Sequence, residues 1–171
     1  MKSRKIVMAS LFTAIICVAT LVIQIPLPTG YANLGDCFVL LAAWILGPLL
    51  GALAAAIGAM LSDILSGYVH YAVGTFIIKG LMALIAFYIS KELLKSAKKR
   101  PQLSYIISAI CAELVMVAGY CFYDYFIMGY GVAAFASILG NVLQGVIAII
   151  AANLLNSQFR RLQRKNLISQ D

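Results

Sequence analysis

The run LSYIISAICAELVMVAGYCFYDYFIM occupies residues 103–128, and VAAFASILGNVLQGVIAIIAANLL follows at 132–155. Their only ionisable carboxylates are Glu113 and Asp124, and neither run holds a Lys or Arg. A membrane helix needs about 20 predominantly apolar residues to cross a hydrocarbon core ~30 Å thick. Each run is long enough for one crossing. A charge in hydrocarbon is costly, so a carboxylate or ammonium inside such a run marks a candidate functional position.

Outward from these runs, the cations fall into three clusters: Lys2/Arg4/Lys5, Lys91/Lys95/Lys98/Lys99/Arg100 and Arg160/Arg161/Arg164/Lys165. Lys79 alone sits inside an apolar run. Composition agrees with a membrane protein: 63% of residues are hydrophobic and 11% charged, against about 25% charged in an ordinary soluble domain. The mean hydropathy is +0.97. The net charge of +7 borders the apolar runs, so it reads as topology signal and contact with anionic lipid, not as a nucleic-acid surface. Cys17, Cys37, Cys111 and Cys121 lack metal-ligand spacing and read as small apolar residues of a reduced bundle. The first run has no A-x-A cleavage pattern and reads as a retained helix. The 171 residues are expected to form one membrane-embedded domain, 1–171, with no separate catalytic domain.

Residues 6–25 form a first span, broken by Ile25-Pro26-Leu27-Pro28-Thr29-Gly30. Residues 72–90 form another. As one helix, 34–65 would be about 48 Å long, too long for one crossing. Divided at Gly47-Pro48, it gives two shorter ones. Basic clusters should share the cytoplasmic face, and only the divided version puts all three there. The expectation is an all-α six-helix bundle with both termini cytoplasmic and a short, irregular second and third helix. Gly47, Gly51, Ala55 and Ala59 recur every four residues beside Gly58 and Ser62, the pattern of close helix packing.

Three later helices carry polar stripes. Tyr71, Thr75 and Lys79 share a face, as do Glu113, Tyr120 and Asp124, and Ser137, Asn141 and Gln144. Lys79, Glu113, Asn141 and Gln144 fall near mid-depth, with Tyr71, Tyr120 and Asp124 nearer the outer surface. These stripes predict an outward-open cavity with tyrosine walls and a floor of one cation, one anion and two amides, suited to a small heteroaromatic ligand. The competing reading is structural: a Lys79–Glu113 ion pair fixing helix register, and Asn141 and Gln144 as interhelical glue. Tyr125 and Tyr130 read as interfacial belt residues, His70 as a solvated loop residue, and Asp36 as a charge complementing its helix dipole.

The segments Asn33-Leu34-Gly35-Asp36 through Gly47-Pro48-Leu49-Leu50-Gly51, Asp63-Ile64-Leu65-Ser66-Gly67-Tyr68 and Ile78-Lys79-Gly80 resemble the substrate-binding (S) components of energy-coupling-factor (ECF) transporters. Glu113 through Tyr120, and Gly140-Asn141-Val142-Leu143-Gln144-Gly145, are similar to the fifth and sixth helices of the branch that includes riboflavin-type and related vitamin carriers. The resemblance covers nearly the whole chain. It implies a vitamin-binding subunit of the bacterial plasma membrane whose first loop acts as a lid. It implies a transmembrane scaffold subunit and two ATP-binding-cassette ATPases as partners, with ATP used by those ATPases and no cofactor in this chain. The chain indeed has no Walker-type Gly-x-x-x-x-Gly-Lys-Ser/Thr pattern. The family docks its scaffold through small residues of the first helix; Ala9/Thr13 and Ser10/Ala14 are the nearest matches here. A pyridoxine-like or hydroxymethylpyrimidine-like ligand fits the expected cavity, with riboflavin as the alternative. A small membrane enzyme and a structural membrane protein are the competing classes; no cysteine–histidine set, metal cluster or paired-carboxylate site speaks for an enzyme.

Overall fold

Gly47 takes φ 87°, a conformation that glycine reaches without a Cβ penalty, and Pro48 follows as the first residue of the next helix. This corner divides the long apolar stretch into α2 (Gly35–Leu46) and α3 (Pro48–Leu65). The protein is described by a computed structural model covering residues 2–96 and 101–168, with backbone alone for Lys2 and residues 162–168. Among the described residues there are four further helices: α1 (Lys2–Val22), α4 (Ala72–Ser96), α5 (Pro101–Phe122) and α6 (Ile138–Ile168). Five of the six are long and apolar enough to cross a membrane, and α2, at 12 residues, is the short one. The third helix is less short than the sequence implied, since its 18 residues reach crossing length. Lys98, Lys99 and Arg100 lie outside the described residues, as do the side chains of Lys2, Arg164 and Lys165.

The small residues of α3 bring three helices together. A Cβ on Gly51 would meet the Ala42 carbonyl of α2 at 2.8 Å, and one on Gly58 would meet the Thr13 carbonyl of α1 at 2.6 Å. Ala55 and Ala59 are buried in the same core as Ile16, Val39, Leu40, Met82 and Met116. α4 packs on α3 and α5, while α6 closes the ring against α5 and α2. Packing of this kind replaces the hydrophobic drive that lipid does not supply.

Two irregular regions shape the end of the bundle where α3 and α5 finish. The first is an antiparallel hairpin of β1 (Gln24–Pro26) and β2 (Tyr31–Asn33), with Ile25 opposite Ala32. An all-α reading misses it, because Pro26, Pro28 and Gly30 look only like helix breakers. In the second, α5 widens into a π-helical turn over Tyr123–Ile127, and a 3-10 segment, Gly131–Ser137, leads into α6. π-turns are rare and often found where a helix must aim a functional side chain; this one contains the buried Asp124. His70, Tyr125 and Tyr130 are exposed at the same end. At the opposite end, Arg160 lies over the Tyr105 ring and donates to Gln102 Oε1 at 2.7 Å, tying α6 to the start of α5.

Candidate functional site

Lys79 enters the bundle two turns along α4, 2% exposed, and finds Asp36 of α2, which is fully buried. The two form a salt bridge. Gln144 of α6 donates to the other Asp36 oxygen at 2.5 Å, while its own carbonyl oxygen accepts the backbone N–H of Asn33 at 2.7 Å. The Asn33 side-chain oxygen in turn accepts the N–H of Gly35, the first residue of α2, at 2.8 Å. One knot therefore fixes α2, α4, α6 and the end of β2. The expected Lys79–Glu113 pair is corrected by this geometry. The reading of Asp36 as a dipole-complementing helix end is only half of its role: it stands in the first turn of α2 but is turned inward to Lys79.

A second polar cluster holds the hairpin tip. Asp124 accepts the Tyr71 hydroxyl at 2.6 Å and the Thr29 hydroxyl at 2.5 Å. The Thr29 backbone N–H donates to Ser137 Oγ at 2.9 Å, and Ser137 Oγ donates back to the Thr29 carbonyl at 3.2 Å. A third contact comes from β2, where Tyr31 donates to Asp63 Oδ1 at 2.5 Å. Burial first, and the neighbouring Asp63 carboxylate next, push the Tyr31 phenol well above its ordinary pKa, so it stays a donor.

Between knot and hairpin lies a small cavity. It is lined by Tyr71, Thr75, Lys79, Tyr120, Asp124, Asn141 and Gln144 from the expected stripes. The space open to a water-sized sphere is about 30 Å³, so the outward-open cavity expected from the sequence is narrowed here to less than a ring ligand needs. The hairpin covers it. Asn141 and Gln144 lie in the first two turns of α6, 10 and 13 residues into the crossing-length segment Gly131–Arg161, whose first part is the 3-10 stretch.

Glu113 is the one expected site residue that does not line the cavity. Thr75 and Tyr120 pair at 3.0 Å across α4 and α5, and Glu113 lies seven residues deeper, about 10 Å below that level. Its carboxylate packs behind Gly145, 4% exposed, with neither oxygen hydrogen-bonded among the described residues. The lining also includes Thr20, Thr29, Tyr31, Asn33, Ala59 and Asp63, which the stripe reading did not place there. Asp36 and Asp63 carried the missed signal, since both are carboxylates in otherwise apolar helices. Among the described residues, no group of three or more His, Cys, Asp or Glu could hold a metal ion.

A family model described as "ECF-type riboflavin transporter, S component" matches residues 1–161. An uncharacterised protein of Pyrococcus woesei is 32% identical over 137 residues, covering 79% of this chain and 87% of its own. Among solved structures, one reported under "Structure and mechanism of the S component of a bacterial ECF transporter" superposes with a TM-score of 0.77 at 24% identity. It covers 95% of this chain and 99% of its own, and shows a shared fold.

The knot predicts a stability pattern. Removing one partner of a buried ion pair typically costs about 3–5 kcal/mol, because the other charge is left unpaired. Lys79→Met should therefore strongly destabilise the bundle, and adding Asp36→Asn should recover a large part of the loss. Denaturant or thermal unfolding of the detergent-solubilised single and double variants measures this. Additive losses in the double variant would mean that the two side chains do not stabilise each other.

Proposed function

We propose, from the premise that this chain belongs to the ECF-type riboflavin transporter S-component family, that it captures one small heteroaromatic vitamin or vitamin precursor beneath its hairpin for ATP-driven uptake. As a family member it is a multi-pass membrane protein and a substrate-specific subunit of a transporter; its family consists of transporter subunits, not enzymes. The finer reading rests on one observation. Aromatic hydroxyls, amides and a held ammonium converge on a cavity whose cover is a short hairpin fastened by side chains at Thr29 and Tyr31. Pockets that combine a few polar groups with aromatic walls suit small ring ligands. A pyridine or pyrimidine alcohol is the first choice, because the closed cavity is small. Riboflavin is the second, favoured by the family's description; it would require the cover to lift much further.

The proposed binding residues are Lys79, Tyr120, Asn141, Gln144, Thr75, Tyr71 and Asp124, with Glu113 withdrawn to a position behind the floor. The hairpin end faces outward in this reading, and both termini face the cytoplasm with the described cations Arg4, Lys5, Lys91, Lys95, Arg160 and Arg161. The membrane is the cell membrane, and the energy comes from a scaffold subunit and two ATP-binding-cassette ATPases.

The first helix supports the scaffold contact. Only 17% of its span is buried, against 28–44% for the other spans. Its two small-residue pairs face differently. Ala9 and Thr13 are half-buried, and the Thr13 backbone crosses Gly58 closely; Ser10 and Ala14 are exposed. The outward pair, Ser10/Ala14, is the proposed docking surface, since a close helix partner needs small residues.

Two outcomes are expected. Mass spectrometry of denatured, purified protein should find a released heteroaromatic molecule. Asn141→Leu, outside both the knot and the tip cluster, should bind that molecule about tenfold more weakly, the equivalent of one lost hydrogen bond of ~1.4 kcal/mol. Absence of any bound or bindable small molecule would end the transport reading. Separately, Ser10→Trp should leave binding by the isolated chain near normal while abolishing uptake and copurification with the scaffold. Lost binding with an intact complex would move α1 from the docking surface to the site.

A further inference from the structure

Asp63 stands near the end of α3, 4% exposed, and lines the cavity beneath the hairpin. Its Oδ1 is occupied by the Tyr31 hydroxyl. Its Oδ2 is buried and makes no hydrogen bond of normal length and angle among the described residues, the nearby Thr75 hydroxyl being paired with Tyr120 at 3.0 Å, and no other lining residue has such an atom. A buried acceptor left empty costs free energy comparable to a lost hydrogen bond, more when it carries charge. An empty acceptor at the wall of a binding cavity is therefore a place for a donor from the ligand.

The local charge narrows what that donor is. Lys79 is the only cation in the lining, and it is already paired with Asp36. Asp63 and Asp124 remain as carboxylates facing the cavity. Asp124 is engaged by Tyr71 and Thr29, both neutral donors. The cavity is thus richer in anions than in cations. It is also walled by the rings of Tyr31, Tyr71 and Tyr120, whose faces attract cations. A neutral hydroxyl would fill the acceptor but leave the charge uncompensated in a low dielectric. A cationic nitrogen would do both, through a charge-assisted hydrogen bond about twice as strong as a neutral one.

We infer that the transported ligand carries a cationic nitrogen, a protonated amine or a protonated ring nitrogen, and that Asp63 Oδ2 receives it. Tyr31 holds Asp63 in register from the hairpin side, so the closed hairpin and the bound cation share one carboxylate. The inference rests on the transport reading and sharpens its substrate class. Among the ring alcohols of that reading, those with a protonated ring nitrogen become the better ligands, together with aminated or quaternary heteroaromatics, and uncharged riboflavin the poorer one.

The test uses the full chain in lipid nanodiscs. The molecule released from the wild type is identified by mass spectrometry and the protonation of its nitrogens at neutral pH is measured by NMR titration. Its rebinding is then followed by calorimetry to the wild type, Asp63→Asn and Asp63→Glu. Benzylamine and benzyl alcohol, which differ by an ammonium in place of a hydroxyl and carry no other group that titrates near neutral pH, serve as competing probes. The expected result is a released molecule with a protonated or quaternary nitrogen, at least about tenfold weaker rebinding to Asp63→Asn, partial recovery in Asp63→Glu, and stronger competition by the amine than by the alcohol. Asp63→Asn keeps an acceptor for Tyr31, so its melting temperature should stay near wild type. If that variant is unfolded, the charge of the released molecule and the amine-to-alcohol ranking on the wild type decide. A released molecule with no protonated or quaternary nitrogen at neutral pH, unchanged rebinding to a folded Asp63→Asn, or equal or better competition by the alcohol would overturn the inference. Absence of any bound molecule in the wild type would instead overturn the transport reading, and this inference with it.

Discussion

The buried Lys79–Asp36 pair is the constraint on which the rest of this structure depends. An ammonium and a carboxylate can remain inside an apolar bundle only if they meet and if their remaining hydrogen-bond capacity is satisfied. Gln144 meets part of that demand on Asp36, and the Asn33 N–H meets it on Gln144. These contacts reach across α2, α4 and α6 and end at the last residue of the hairpin. The floor of the cavity and the base of its cover are therefore positioned by one chain of contacts. Moving any of these helices by a few ångströms would strand a charge, which a membrane interior penalises far more than a surface does.

The hairpin tip is held differently. Thr29 is fastened to Asp124 and Ser137 by hydroxyl and backbone hydrogen bonds near the end of the bundle. Bonds of this kind contribute about 0.5–1.5 kcal/mol each, or 1.5–3 kcal/mol where one partner is charged. In the proposed reading the knot is the structural anchor, the cover is rooted at Asn33, and the part that opens is its tip at Thr29. A cavity with room for about 30 Å³ admits a vitamin-sized ligand only if that tip lifts.

Much of this architecture was legible in the residues. The Gly47-Pro48 corner and the distribution of cations identified six helices. The four-residue spacing of Gly47, Gly51, Ala55 and Ala59 identified the packing face of α3. The stripes Tyr71/Thr75/Lys79 and Asn141/Gln144 converge on one cavity, as their periodicity implied. The partner of Lys79 was not legible, because Asp36 is separated from it by 43 positions and helical periodicity carries no information across helices. The hairpin was hidden by residues that also break helices. Glu113 shared a face with Tyr120 in the sequence, but face does not give depth, and the antiparallel pairing of Thr75 with Tyr120 leaves it beneath the floor.

In the proposed reading, the space between knot and hairpin is reached by release of the Thr29 tip. Ala59 lines that space and is 2% exposed, so Ala59→Cys, in a chain with its four native cysteines replaced, reports access directly. Labelling of this cysteine by a membrane-impermeant thiol reagent should be slow, and Thr29→Val, which removes the hydroxyl bond to Asp124, should accelerate it severalfold. A labelling rate that ignores the state of Thr29 would contradict the account, because the cavity would then be reached by some route other than its hairpin.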